Sequence, residues 1–261
     1  MRQSVGREAD VDSAGNVALG KVLRAAMVAG IVAGLMAALF HFLVTQPLID
    51  QAIAVAESRG VVLDPEEIRT ASGSNLMIGL LTFAATWALI YGIGFAMLQR
   101  LLPVMAPWKR GLYLAALAFW AVEALPFLKC PPLPPGIGDD FTLDQQAAIR
   151  LASLLLIMMG SAVAVIFSRL VAVRRGPGAV SLLGGIVVLA IYSALIFVLL
   201  PSVPDPGDTP LQVVAPFRFA TLGGLALFWL LLGGGFAIQL RGLAASSQER
   251  AVAGDPSRPL T

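Results

Sequence analysis

No charged residue interrupts positions 25–49, and uncharged or nearly uncharged runs of similar length recur five more times along the chain. A helix that crosses a bilayer needs about 20 mostly apolar residues, because its backbone must satisfy its own hydrogen bonds through ~30 Å of hydrocarbon. Reading from charge to charge predicts spans at 22–44, 76–98, 110–128, 150–172, 179–200 and 217–240. The third is the shortest and carries Glu123 and Pro126, so it decides between six spans and five. Only 13% of the residues are charged and 57% are hydrophobic, against about 25% charged in a soluble domain. The expected fold is therefore all-α, a polytopic transmembrane helix bundle of about six spans.

The basic residues set the orientation, since Lys and Arg collect on the cytoplasmic side. With six spans, 13 of the 18 fall on the side of the N-terminus, among them Lys21, Arg24, Arg100, Lys109, Arg110, Arg169, Arg174, Arg175 and Arg241. Arg59, Arg69, Lys129, Arg150 and Arg218 fall on the other. Five spans would scramble this alternation after the second connection. The pattern predicts both termini inside, with a cytoplasmic tail at 1–20, a bundle at 21–241 and a second cytoplasmic tail at 242–261. The polar start, with Arg2, Arg7, Glu8, Asp10 and Asp12, does not read as a secretory signal. The apolar run that follows is longer than a signal's core of about 7–15 residues. The outer connections (45–75, 129–149 and 201–216) are acidic and hold Asp50, Glu57, Asp64, Glu66, Glu67, Asp139, Asp140, Asp144, Asp205 and Asp208. Topology and solubility account for such loops; a surface that gathers cations by long-range attraction accounts for them as well.

Several function classes are disfavoured. A net charge of +2, without a basic stripe interleaved with aromatics, gives no reason to expect nucleic acid. The single cysteine, Cys130, excludes an internal disulfide and a cysteine-built zinc cage. Walker A, GxSxG, HExxH and a strand–helix GxGxxG are all missing, so an enzyme is not expected.

Gly30 and Gly34, Gly92 and Gly94, Gly184 and Gly185, Gly223 and Gly224, and positions 233–235 place glycine inside the spans. Lipid provides no hydrophobic drive between helices, so small residues that admit close backbone approach read as bundle contacts. The segment CPPLPPGIG at 130–138 cannot continue a helix, because proline fixes φ and lacks a donor. It predicts a stiff loop over the mouth of the bundle. Thr142, with Gln145 three residues on, reads as a capping box opening the fourth span.

Titratable groups inside a span are costly and are weighed one by one. His41, the one histidine, falls late in the first span, and Glu123 is the acidic residue set deepest in any span. Both lie toward the outer ends of their helices, where a shared cavity would hold a neutral imidazole and a carboxylate, a donor set suited to divalent first-row metals. Gln46 and Asp50 are the nearest additional oxygen donors, with Asn75, Gln145 and Gln146 behind them. The competing reading makes His41 a packed interfacial histidine and Glu123 a hydrogen-bonded structural carboxylate. Arg218 reads as an interfacial anchor, with pairing to an acidic outer loop as the alternative.

Three segments in order carry a family resemblance: AGIVAGLMAALFHFLVTQPLIDQAIA at 29–54, GIGFAM at 92–97, and ALPFLKCPPLPPG at 124–136 followed by DQQAAIR at 144–150. Together they resemble the CbtA family, predicted cobalt transporter subunits of bacteria, over about residues 20–240. The resemblance implies cobalt uptake across the cytoplasmic (inner) membrane, with Co²⁺ as cargo and no permanently bound cofactor. It also implies a small histidine-bearing companion subunit of CbtB type. On this reading His41, Glu123, Gln46 and Asp50 are the candidate metal ligands. A membrane scaffold or assembly partner that moves nothing itself is the alternative from another class.

Overall fold

A computed structural model describes residues 17–61, 73–103, 105–137, 140–202, 205 and 209–253, without the side chains of 74, 140–142 and 247–253. Its elements are α1 (Leu19–Phe40), a π-helical turn π1 (His41–Thr45), α2 (Gln46–Ser58), α3 (Gly73–Leu98), α4 (Pro107–Ala118), a second π turn π2 (Phe119–Ala124), α5 (Leu125–Lys129), α6 (Asp140–Arg175), α7 (Ala179–Leu199) and α8 (Leu211–Ala253). Six stretches are long and apolar enough to cross a membrane: Leu19–Ser58, Asn75–Leu98, Pro107–Lys129, Leu143–Arg175, Ala179–Leu199 and Leu211–Ser246. The third span is thus present, and its proline and carboxylate do not end it.

Helix boundaries depart from the sequence expectation at three places. The first helical stretch does not give way to a loop near residue 45 but continues through π1 and α2 to Ser58. α8 begins at Leu211 and runs through Pro216, whose ring is accommodated in the helix. α6 begins at Asp140, two residues before the expected cap Thr142, whose side chain lies outside those described. In each case the apolar pattern marks where lipid ends, whereas helical hydrogen bonding has no reason to stop there. The tails 1–16 and 254–261, and Asp64, Glu66, Glu67, Arg69, Asp139 and Asp208, also lie outside the described residues.

Successive spans alternate in direction, and polar contacts at both ends fix the alternation. At one end the N–H of Val17 donates to Gln99 Oε1 (2.9 Å), Arg169 Nη1 donates to Leu102 O (3.1 Å), and the Arg241 guanidinium lies over the Trp108 ring. Lys21, Arg24, Arg100, Lys109, Arg110, Arg174 and Arg175 share this end by their positions on the helices. At the other end Arg150 reaches Cys130 O (2.8 Å) and Lys129 reaches the last carbonyls of α7. The charge segregation expected from sequence is therefore a segregation in space among the described residues.

The main core lies among α1, α3, α4 and α8. Small residues permit the approach. A Cβ on Gly30 would meet Ala88 Cβ, one on Gly34 would meet Ala84, and one on Gly235 would meet Ala29. Gly233 faces Ala115 in the same way. Gly94 and Gly234, by contrast, have nothing within 4 Å of such a Cβ, so those two do not serve a contact inside the bundle. Aromatic rings fill the remaining space: Phe83, Phe228, Trp229, Tyr91, Phe236 and Phe95 contact one another edge-on, with centroids 4.9–6.3 Å apart. Such edge-to-face pairs are worth about 0.5–1.5 kcal/mol beyond their buried area. The hairpin of α6 and α7 docks on this core through π2 and α5, where Ala121, Leu125, Ile157 and Ile196 form a second buried cluster. Trp120 Nε1, on π2, donates to Ser193 Oγ of α7 at 3.0 Å across that seam.

Candidate functional site

Each of the two titratable residues singled out within the spans lies in a π turn: His41 opens π1 and Glu123 lies in π2. Local chemistry explains why the helix widens there. Pro47 and Pro126 follow the two turns by two residues each. In a regular helix a proline ring clashes with the carbonyl four residues back, here Leu43 and Val122, and leaves one acceptor unbonded. A π turn shifts the ladder by one residue. The N–H of Gln46 bonds His41 O and that of Leu125 bonds Trp120 O, both five residues back. π turns inside α-helices are uncommon and are often found at functional sites.

Both turns pack against α8. His41 is buried, and its imidazole sits over Gly224 so closely that a Cβ there would collide with Nε2. Its Nδ1 is 2.8 Å from Thr45 Oγ1, one turn on. That bond fixes the ring and leaves Nε2 as the nitrogen directed at α8. Glu123 lies next to Trp229 of the same helix and next to Arg150 of α6. The Trp229 indole Nε1 is buried without a hydrogen-bond partner. Gly224 and Trp229 are five residues apart, about 7.5 Å along the helix axis and roughly 140° around it, so His41 and Glu123 meet different faces of α8 and do not share one coordination sphere in this conformation. Thr221 Oγ1, one turn before Gly224, and Arg150 Nε are likewise buried without a hydrogen-bond partner. Buried polar atoms are bonded in the great majority of cases, so several unbonded ones beside two titratable groups mark a region with spare polar capacity.

Gln46 and Asp50 are brought together with each other. Gln46 Nε2 donates to Asp50 Oδ1 at 2.8 Å, while Gln46 Oε1 accepts the N–H of Gly73 at 3.2 Å. This pair lies on the exposed side of α2 and ties it to the start of α3. Asp50 follows His41 by nine residues, roughly 13 Å of helical rise, so a single coordination sphere does not span both in this conformation. Among the described residues no three of His, Cys, Asp and Glu converge as a metal-binding group.

The acidic end of the bundle is closed by a network that sequence reading left half open. Arg218 forms a bidentate pair with Asp205 (2.6 and 2.8 Å) and also donates to the carbonyls of Pro132 (3.0 Å) and Pro131 (3.3 Å). It is thus a partner of the acidic connection and also a clamp on the proline loop. Lys129 is buried and donates to Phe197 O, Leu200 O and Ser202 Oγ, placing a cation at the C-terminus of α7, where the helix dipole favours it. Arg150 anchors the start of the same loop. Cys130 is buried at that point. Burial pushes its thiol above the ordinary value, and the nearby Arg150 and Lys129 only partly oppose the shift. Thr45, Gly224, Trp229 and Arg150 were not visible as site neighbours in the sequence. The two prolines inside apolar runs were the available signal, because each announces a local break in the helical ladder.

Six apolar spans of alternating direction, with two titratable groups lodged in widened turns, define a multi-pass helical membrane protein. A family model described as Probable cobalt transporter subunit (CbtA) matches residues 19–241, and the chain belongs to that family. Comparison with curated proteins and with solved structures returns no match.

Proposed function

We propose that this chain is the membrane subunit through which Co²⁺ enters the cell, and that His41 and Glu123 flank its route along α8. The observation that carries the proposal is the coincidence of two costly titratable residues with two π turns, in different spans, that both pack against α8. A carboxylate and a neutral imidazole suit Co²⁺, and neither stays in an apolar span without a return in function or bonding. Thr45 supports His41 in the way that outer-shell groups orient metal-binding imidazoles, by bonding the ring nitrogen away from the metal.

The acidic connections face outward in this proposal, with both termini in the cytoplasm and the basic end following the positive-inside rule. Asp50, Glu57 and Asp144 raise the local concentration of divalent cations at the outer mouth. Gln46 and Asp50 serve as the entry pair, the first oxygen donors met. The ion then passes inward between the π turns and α8, taking His41 Nε2 and Glu123 as ligands in succession. One protein ligand does not complete a Co²⁺ sphere at either turn. The remainder comes from water and from a histidine-bearing companion subunit of CbtB type in the same inner membrane.

The test is uptake of radioactive cobalt by cells expressing the complete transporter. His41→Ala together with Glu123→Gln, at unchanged membrane abundance, is expected to reduce uptake at least tenfold. Unchanged uptake refutes the route along α8.

A further inference from the structure

A lateral cleft of about 450 Å³ opens between α3, α4 and α6, with Ala121 and Val122 of π2 and Trp229 of α8 at its inner wall. Its walls are apolar and include Gly94 and Leu98 of α3, Leu114 of α4, and Met158 and Ile166 of α6. Met158, Ile166 and Leu98 are exposed, so the cleft is continuous with the lipid-facing surface and is not an enclosed void. Two polar groups stand at its margins. Arg169 lines the end shared with the other basic residues, its guanidinium steered by the bond to Leu102 O. Ser161, two turns deeper, is 6% exposed and its Oγ has no hydrogen-bond partner.

We propose that this cleft binds one anionic phospholipid, with its phosphate at Arg169 and an acyl chain laid along α6 toward Met158. Arg169 and Met158 are eleven residues apart, about 16 Å of helix, which is half of a ~30 Å hydrocarbon core and hence the depth of one leaflet. The volume falls within the ~300–1,000 Å³ of ordinary ligand sites. Charge complementarity selects the occupant: a guanidinium at the basic rim matches a phosphate diester, and basic pockets between spans on this side are suited to anionic headgroups. A second transmembrane helix fits less well, because bulky Leu, Met and Ile side chains keep backbones apart where helix pairs use small residues.

The experiment uses the purified full chain, stripped of lipid in detergent and offered equal phosphatidylglycerol and phosphatidylcholine, with adducts read by native mass spectrometry. One retained phosphatidylglycerol is expected. Arg169→Gln should lower its occupancy at least fivefold, to the level of phosphatidylcholine. Gly94→Phe fills the cleft and should remove both lipids, whereas Gly79→Phe, at an exposed glycine of the same helix with open space around it, should remove neither. Excess inorganic phosphate should not displace the lipid. A photoreactive residue at position 94 should cross-link to phospholipid in cells. Equal retention of the two lipids, undiminished binding by Gly94→Phe, displacement by phosphate, or cross-linking to a second polypeptide would each overturn the proposal.

Discussion

Gly223 and Gly224 provide an internal comparison for the seat of His41. Both are interior to α8, so replacing either by alanine changes helix propensity by the same amount, up to about 1 kcal/mol. Their surroundings differ. A Cβ on Gly223 meets only Phe40 Cζ at 3.7 Å, an ordinary contact, whereas one on Gly224 runs into the His41 ring. Gly224→Ala must then either push the two helices apart, at the ~1–3 kcal/mol typical of overpacking, or swing the imidazole away. The second course loses the bond to Thr45 Oγ1, worth about 0.5–1.5 kcal/mol. The cheaper course sets the outcome, so Gly224→Ala should be about 0.5–1.5 kcal/mol less stable than Gly223→Ala in reversible detergent unfolding. Cobalt uptake should fall in the first variant and hold in the second. His41→Ala removes the obstacle, so adding Gly224→Ala to it should cost nothing further. Equal stability of the two alanine variants, or full additivity with His41→Ala, would refute the proposed packing of His41 on α8.

Other consequences follow from the clamps at the acidic end. Lys129→Met should destabilise the bundle by ~1.5–3 kcal/mol, since it strips a charged donor from two carbonyls and leaves them short of partners, as thermal unfolding in detergent would report. Arg218→Ala should accelerate hydrogen exchange around 130–137 more than Asp205→Asn does, because Asp205→Asn leaves the bonds to Pro131 and Pro132 in place. Cys130 should react with iodoacetamide far more slowly than a free thiol at neutral pH and accelerate as pH rises past the ordinary thiol range. Its raised pKa means that folding favours the neutral thiol. That contribution to stability is complete below the unfolded-state value and is lost as pH climbs through the folded one.

Much of the architecture was legible in one dimension. Positions of the six spans, their alternation and the gathering of basic residues at one end are consequences of hydropathy and charge read locally. Each residue's preference for lipid or water is nearly independent of what it touches. His41 and Glu123 stood out for the same reason, since a polar group in an apolar run is conspicuous wherever the chain later folds. The prolines at 47 and 126 were visible too, but a proline tells only that one carbonyl must be relieved. Whether by a kink, a loop or a π turn depends on neighbouring helices.

What tertiary structure alone decided was partnership. Gln239 donating to Ala25 O, Arg218 clamping the proline loop and His41 resting on Gly224 join residues from 86 to 214 positions apart for the two hydrogen-bonded cases. No local pattern encodes such pairs. Glycines look alike in sequence, yet Gly224 receives an imidazole while Gly94 borders a cleft. The physical reason is that hydrophobicity acts on each residue singly, whereas steric fit and directional hydrogen bonds exist only between two surfaces already brought together.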